Sequence, residues 1–452
     1  MFSRILIANR GEIALRIIRA ARELGLETVC VYSEADRDGP WLDQADHSVC
    51  IGPPAPLDSY LRIDRIISAA ETTKADAIHP GYGFLAESAE FATVCRDCQV
   101  EFIGPSPEAM ALLGDKISCR RMAKESGTPI FPGSEDAIEE EGEAIEIAHE
   151  IGFPVIVKAA AGGGGRGMRV VQTAEELQPS IQSAQQEAIS AFGNGSVYIE
   201  KFLEKARHVE VQCIGDKHGN AVHLFNRDCT SQRRHQKLIE EGPAPGVPDD
   251  IRDRVCESAA ALIRNANYAG AATCEFLMDR SNDFYMLEVN TRVQVEHPVT
   301  EMITGVDIVK ESILVAAGEK LSIRQEDVSI NGHAIECRIN AEDPARDFMP
   351  QAGVVDEYRT PGGYGVRIDS HVVPGYRIPS NYDSMIAKLI VHGRDRAEAI
   401  ARMKSALSEF KIGPGKTTIP LHLRLMDEQC FHDLDIDIHY VERLLENEIS
   451  KA

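Results

Sequence analysis

Positive charge is what this chain has too little of: 48 lysines and arginines stand against 71 aspartates and glutamates, a net charge of -23. A surface so charged repels the phosphates of nucleic acid and anionic lipid, so neither a nucleic-acid nor a membrane partner is expected. Long apolar runs are missing too. The opening MFSRILIANR enters a strand-like pattern within three residues, and its apolar stretch is too brief for a signal h-region or a membrane span; a cytoplasmic location is the expectation. Cysteine is present without a pattern. Eleven at irregular spacings in 452 residues do not make the disulfide framework of a small secreted protein, so reduced core thiols are expected. Cys95 and Cys98 form a lone C-x-x-C with no second pair or histidine pair at zinc spacing, within EFATVCRDC, which reads as helix. Repeats, low-complexity tracts and long linkers are absent. What remains, 43% hydrophobic and 26% charged, is ordinary globular material long enough for about three domains.

The first hundred residues alternate short apolar strands with helical patterns: ILIAN, EIALRIIRAARELG, TVCVYS, IDRIISAAETT, ADAIHP, AESAEFATVCRDC, VEFIG. That βαβ rhythm predicts an α/β chain opening with a parallel, Rossmann-like sheet. A second region starts near Lys116 with a helix, and its acidic run from Glu135 to Glu146 reads as a solvated helix face. FPVIVKAAAGGGGRGMRVV then reads as strand, glycine loop, strand, followed by a helix over about 174–190 and the strand VYIEKFL. From about 204 onward antiparallel-looking strands dominate, closed by the helix AEAIARMKSALSEF and a C-terminal helix.

Three glycine motifs compete. Gly413 to Thr417, GPGKT, resembles the end of a P-loop, but the first required glycine position holds Phe410. Gly81 to Ala86 follows a strand and reads as opening a helix, which fits a relaxed dinucleotide fingerprint; the acid about twenty residues on, Glu101, lies inside a strand instead of at its end. Gly162 to Gly165 with Gly167 is bracketed by strands, and its lysine, Lys158, precedes it. A glycine loop between two strands can fold over a polyphosphate as a lid, because residues without Cβ let backbone amides approach phosphate oxygens. A hairpin tip is the plainer alternative. Lys158 weighs against it, since a lysine ending an apolar strand needs an anion.

Polar residues at alternate positions mark the chemistry. His208, Glu210 and Gln212 share one strand face, and Arg233, Arg234, His235 and Lys237 concentrate positive charge in an acidic chain, implying a bound anion or, more blandly, a surface patch. Glu275 and Glu288 fall on adjacent strands joined by the turn-like DRSND; two such carboxylates repel unless a cation joins them, and with Asn290 they form a hard-oxygen trio suited to magnesium. In FYMLEVNTRVQVEHPVTEMITG, 284–305, read as a continuing strand, Glu288 and Asn290 share a face with Arg292, Gln294 and Glu296, while Val293 and Val295 point the other way. A half-solvated strand with one salt bridge is the competing explanation; a metal and an anionic ligand explain more of the charge. Magnesium, lysines and a glycine lid together predict ATP cleavage.

These blocks resemble a known family, the biotin carboxylase subunit of biotin-dependent acyl-CoA carboxylases of the acetyl-CoA carboxylase type, in the ATP-grasp superfamily. IANRGEIALRI (7–17), HPGYGFLAE (79–87), GGGGRGMRV (162–170), RRHQK (233–237), NTRVQVEHPVTEMITG (290–305), ECRINAEDP (336–344) and YDSMIAKL (382–389) match its motifs in order over essentially the whole chain. The resemblance implies a Rossmann-like N-terminal domain (1–115), a linker helix and ATP-grasp lid (116–203), an ATP-grasp core with metal and bicarbonate sites (204–330) and a C-terminal biotin carboxylase domain (331–452). By position it assigns ATP binding to Lys116, Lys158, Gly164, Gly165, the hinge Glu200, Lys201, Phe202 and Leu203, His208, His235, Glu275 and Glu288. Magnesium, or manganese in its place, falls to Glu275, Glu288 and Asn290. Bicarbonate falls to Lys237, Arg292, Gln294 as a positioning residue and Val295 through its main chain. Glu296 matches the base that deprotonates bicarbonate, Arg338 the arginine facing the ureido oxygen of biotin, and Tyr82 a tyrosine of the biotin pocket.

The implied reaction is the first half-reaction of an acyl-CoA carboxylase in fatty acid biosynthesis, giving ADP, phosphate and N1'-carboxybiotin by way of carboxyphosphate. A homodimer is implied, working with a separate biotin carboxyl carrier protein and carboxyltransferase subunits, because the chain lacks the Ala-Met-Lys-Met carrier motif; Ala401-Arg-Met403-Lys404 on a helix is not one. Ala161, Cys274, Gly242 and Asn381 depart from common family residues, and none of them removes a catalytic group. Two rivals stand beside this expectation. A different ATP-grasp ligase would lack a use for Tyr82 and Arg338, and a catalytically silent regulator would have no need of Lys237, Arg292 and Glu296 together.

Overall fold

A computed structural model of the chain describes residues 1–134, 136–138, 141–159 and 168–449. The glycine stretch that carries Gly164 and Gly165 lies outside the described residues, as does part of the acidic run from Glu135.

The N-terminal rhythm becomes a five-stranded sheet in the order His47–Gly52, Glu27–Ser33, Arg4–Ile7, Ala77–His79, Glu101–Phe102, with every pairing parallel. Its central strand is apolar on both faces because both are covered. Ile5 and Ile7 join a core with the helix Gly11–Glu23, while Leu6 and Ala8 join another with Ile66, Ile67 and Phe91 from the helices Ile63–Thr73 and Ala89–Asp97. One expectation fails here. Gly81 to Ala86 does not open a helix: the chain turns after Ala77–His79, Gly81 and Gly83 take φ of 63° and 67°, and the helix waits until Ala89, capped by Ser88. The turn is tied down by Asn9 Nδ2, which donates to the carbonyls of Pro80 and Tyr82 at 2.7 Å each. The segment from Gly81 to Ala86 therefore offers no helix N-terminus to a dinucleotide.

A three-stranded antiparallel sheet, Arg169–Val171, Val155–Ala159 and Val197–Lys201, carries the helices Glu141–Ile151 and Ala174–Phe192 over its own small core. The largest layer is an eight-stranded antiparallel sheet in the order Phe284–Asn290, Gly270–Met278, Arg207–Gly215, Ala221–Arg233, Gln236–Gly242, His333–Asn340, Met385–Gly393, Val366–Ser370. It runs unbroken across residue 330, since Gln236–Gly242 pairs directly with His333–Asn340. Alternation sorts its faces. Val209, Val211, Cys213, Cys274 and Phe276 pack with Val255, Ala259 and Leu262 of the helix Asp249–Asn265, and the residues between them, His208, Glu210, Gln212, Thr273 and Glu275, face the other way. All eleven cysteines are free, and GPGKT runs from the last residue of the short strand Lys411–Gly413 through a loop to the seven-residue helix Ile419–Leu425. Among the described residues, no helix is long and apolar enough to cross a membrane.

The expected long strand from 284 ends early. It stops at Asn290, residues 291–296 form an irregular turn, and a helix spans His297–Thr304 with a proline in its first turn and Gly305 at φ 73° as its left-handed cap. The shared face of Glu288 and Asn290 with Arg292, Gln294 and Glu296 is therefore not a product of strand alternation; the turn brings the last three round.

Because the supporting face is close-packed, Phe276→Ala, at a side chain with no exposure, is expected to destabilise the protein by ~3–5 kcal/mol. Urea unfolding followed by circular dichroism checks this, and an unchanged midpoint would contradict the packing described.

Candidate functional site

The polar face of the large sheet and the edges of the two smaller ones enclose a cleft of about 870 Å³. Its centre is one ammonium group. Lys237, near the start of Gln236–Gly242, donates all three of its N–H groups to carboxylates: to Glu210, to Glu275 Oε1 at 2.9 Å and to Glu296 Oε1 at 2.6 Å. Burial opposes the charge on Lys237, but the acids around it overcome that and hold its pKa well above the ordinary lysine value. The effect is reciprocal. Burial would raise Glu275, yet Lys237 and His208 hold it below the usual carboxylate range, and Glu296, also pushed up by burial, is pulled well down by Lys237, Arg338 and Arg227.

Glu275, Glu288 and Asn290, the residues expected to hold metal, line the cleft together. Glu275 and Glu288 are direct cross-strand partners, and a bulge follows at once, since Phe276 pairs with Met286. Glu288 has no hydrogen-bond donor among the described residues; burial and the nearby Glu275 raise its pKa, with Lys116 opposing. Asn290 Oδ1 accepts from Arg292 Nη2 at 3.0 Å, and its buried Nδ2 has no partner. A hard divalent cation fits these oxygens: it would relieve the repulsion between the paired glutamates and leave Lys237 on its other acids.

The turn after Asn290 supplies the anion side. Arg292 Nη1 donates to Gln294 Oε1 at 3.1 Å, and Gln294 Nε2 donates to Glu275 Oε1 at 3.1 Å. Val295 lines the cleft, and Lys388 donates to its carbonyl at 2.8 Å, so its amide N–H is the main-chain group left for a ligand. Glu296 is fully buried, with Lys237 on one carboxylate oxygen and Arg338 Nη2 on the other at 2.9 Å.

On the nucleotide side, Lys158 and Arg120 both pair with Glu200, which is 3% exposed and sits behind the wall, while Lys116, at the start of the helix Lys116–Glu125, faces the cleft. Burial lowers the pKa of Lys116, and an arriving phosphate would push it back up. Lys201 spends its ammonium on the carbonyls of Gly152 at 2.9 Å and Phe153 at 3.1 Å, so of the hinge Lys201, Phe202 and Leu203 the backbone is what a base could use. His208 Nε2 lies 3.1 Å from Glu275 Oε2. His235 is exposed at a hairpin tip, where it and Arg234 take φ of 63° and 47°, the positive values a two-residue hairpin turn requires. At the opposite end, Tyr82 lines the cleft and donates to Glu12.

Three contributors were not among the expected site residues. Arg227, fully buried, donates to Glu210 Oε1 at 2.6 Å and to Gln212 Oε1 and Thr300 Oγ1 at 2.8 Å each, fixing the far side of Glu210. Glu87 holds Arg292 Nε at 3.0 Å and the amide of Thr291 at 3.0 Å. Lys388 anchors Val295. For Lys388 the signal was a cation inside a mostly apolar strand; for Arg227, on a strand of mixed polarity, and for Glu87 the local sequence offered none.

The chain matches the families described as Biotin carboxylase, N-terminal domain, over residues 1–110; Carbamoyl-phosphate synthase L chain, ATP binding domain, over 115–324; and Biotin carboxylase C-terminal domain, over 336–443. It is 54% identical to Biotin carboxylase 1 of Bacillus subtilis, covering 98% of each chain. Among solved structures it is similar to a biotin carboxylase from Campylobacter jejuni in complex with a β,γ-ATP compound, at 49% identity and TM-score 0.95 over 98% of this chain and 99% of that one. The biotin carboxylase domain dimer of the 2-oxoglutarate carboxylase from Hydrogenobacter thermophilus, with MgADP, ADP and bicarbonate, is similar at 46% identity and TM-score 0.93 over 98% of both chains.

Replacing Arg227 with methionine would leave Glu210 buried with half its neutralisation gone. A loss of ~3–5 kcal/mol in unfolding free energy is expected, readable by urea titration. Stability within error of the wild type would mean that the buried ion cluster does not depend on it.

Proposed function

The chain belongs to the biotin carboxylase family; it is an ATP-dependent ligase that carboxylates biotin with bicarbonate, and we propose that the residues of the cleft divide the work as follows. Lys116 and Lys158 take phosphate oxygens, the hinge backbone at Lys201–Leu203 takes the base, and His208 and His235 flank the nucleotide with Gly164 and Gly165. Glu275, Glu288 and Asn290 hold magnesium, which when bound neutralises the polyphosphate and polarises the γ-phosphoryl group. Arg292, Lys237, Gln294 and the amide of Val295 seat bicarbonate.

Glu296 takes the bicarbonate proton as its oxygen attacks the γ-phosphate to give carboxyphosphate. Its pKa, held down by Lys237, Arg338 and Arg227, does not suit a base. Bicarbonate supplies the reason it becomes one: the anion draws Lys237 away from Glu296, and a carboxylate that loses a cation gains proton affinity. Carboxyphosphate then breaks down beside biotin into CO2 and phosphate, the phosphate accepts the N1' proton, and N1' attacks the CO2 to give carboxybiotin, while Arg338 stabilises the enolate-like ureido oxygen and Tyr82 lines the pocket.

The single observation that carries this division is the pair of contacts on Glu296: one oxygen to Lys237 on the phosphate side, the other to Arg338 on the biotin side. One carboxylate thus joins the two halves of the reaction. The chain works within a biotin-dependent carboxylase. The finer proposals are a homodimer in the cytoplasm with a separate carrier protein and the carboxyltransferase subunits of an acyl-CoA carboxylase, and units divided at residues 115, 203 and 330.

The test is ATP hydrolysis measured with and without bicarbonate and free biotin. The wild type is expected to require bicarbonate. Glu296→Ala should lose ~10²–10⁴ in kcat, and Arg338→Ala should lose the stimulation by biotin. Hydrolysis indifferent to bicarbonate, or a Glu296→Ala variant at the wild-type rate, defeats the assignment.

A further inference from the structure

The wall behind Arg338 contains two carboxyl groups that the reaction above does not use. Glu240 and Glu336 are directly paired residues of the antiparallel strands Gln236–Gly242 and His333–Asn340, and neither has any exposure. Directly opposed side chains lie on one face of a sheet and within reach of each other. Three of their four oxygens, Glu240 Oε2 and both oxygens of Glu336, are buried without a hydrogen-bond partner. The fourth, Glu240 Oε1, accepts from Arg338 Nε at 2.6 Å, while Arg338 Nη2 donates to Glu296 Oε2 at 2.9 Å. One guanidinium is therefore strung between Glu240 and Glu296, with Glu336 two residues before it on the same strand.

The cations nearby are spoken for. Lys237, on the strand of Glu240, is taken by Glu210, Glu275 and Glu296. Lys388, the cross-strand partner of Arg338, donates to the Val295 carbonyl at 2.8 Å and lies 3.2 Å from Glu12 Oε1 and 3.9 Å from Asp369 Oδ2. The thiols of Cys229, from the neighbouring strand Ala221–Arg233, and of Cys337, between Glu336 and Arg338 on their own strand, are kept neutral by burial. An ionised carboxylate with no hydrogen bond in such an interior is far costlier than the neutral acid.

We propose that Glu240 and Glu336 are a positioning pair for the biotin half of the reaction: Glu336 keeps its proton, leaving Glu240 as the one charge that seats Arg338 against Glu296. This rests on the assignment of Arg338 to biotin. The electrostatics agree with the geometry. Burial drives Glu336 well above the usual carboxylate range, with Lys388 and Arg338 opposing and Glu240 and Glu296 adding. Burial also raises Glu240 to about 7, against Arg338 and with Glu296. A raised carboxyl is neutral below its pKa, so Glu240 grips Arg338 as an anion above about pH 7 and loses that grip as the pH falls through it.

Two measurements on the full chain test the pair. Infrared difference spectra above pH ~8, where ordinary carboxyls are ionised, should show a protonated carboxyl stretch that shifts in D₂O. It should vanish in Glu336→Gln, which is isosteric with the neutral acid and should fold, and persist in Glu240→Gln. The KM for biotin should rise as pH falls through about 7 in the wild type, and likewise in Glu336→Gln. In Glu240→Gln it should be ~10-fold higher and flat with pH. A wild type without the stretch, a Glu336→Gln that retains it, or a Glu240→Gln that keeps the wild-type midpoint overturns the proposal. The stretch behaving as expected in a protein that never responds to biotin would uphold the protonation of Glu336 and overturn the biotin assignment instead.

Discussion

Everything in the cleft depends on burying one ammonium among three carboxylates. Without Lys237, the side chains of Glu210, Glu275 and Glu296 would repel one another in an interior where two like charges a few ångströms apart repel by ~4 kcal/mol. The cluster draws on the strand Arg207–Gly215, the strand Gly270–Met278, the start of Gln236–Gly242 and the turn before the helix His297–Thr304. Four segments distant in the chain thus meet at one nitrogen. A buried ion group of this kind is weak evidence for stability, since apolar residues of similar volume would often do better. It is better evidence for a site that must exchange its own internal cation contacts for those of an incoming anion.

The sheet makes that exchange affordable by separating duties between its faces. Val209, Val211, Cys274 and Phe276 are locked against the helix Asp249–Asn265, so the same strands can hold His208, Glu210, Gln212 and Glu275 at fixed spacing on the other side. Arg227 extends the neutralisation beneath Glu210, out of reach of solvent, and the resulting lattice of contacts keeps Glu210 in place when Lys237 moves. The glutamate that bears the chemistry is different: Glu296 lies in a turn, outside the ladder, where its two cation contacts are the restraint.

Much of this was legible in residue order. The parallel N-terminal sheet followed from apolar runs alternating with helical periods, and the pairing of Glu275 with Glu288 followed from two strands about a DRSND turn. The turn at 291–296 was missed because alternate apolar and polar residues from Leu287 to Glu296 imitate a strand; the stronger signal lay just beyond, in a proline at the head of a helical period that closes on Gly305. Gly81 to Ala86 misled for a similar reason, since glycines after a strand serve a tight turn as well as they serve a phosphate loop. Contacts such as Glu87 with Arg292 could not be read at all, being set by how the N-terminal layer docks against the sheet edge and not by any local period.

A chain with a net charge of -23 must still collect ATP and bicarbonate, both anions. Surface carboxylates act weakly on such ligands, because charges in water at physiological ionic strength are screened within ~8 Å. Inside the cleft the screening is lost, and Lys116, Lys158, Lys237, Arg292 and Arg338 are concentrated there. Yet most of them arrive already paired, Lys158 with Glu200, Lys237 with three acids, Arg292 with Glu87, Arg338 with Glu240 and Glu296. Pairing costs affinity, because a ligand must displace an internal carboxylate before it gains a cation. The compensation is selectivity for the step: each displaced acid is left with a higher proton affinity, and at Glu296 that gain falls on the group that has to accept a proton. The acidic lining is therefore part of how the site responds to bicarbonate, and a cleft with the same cations and fewer acids would bind the anion more tightly while leaving it inert.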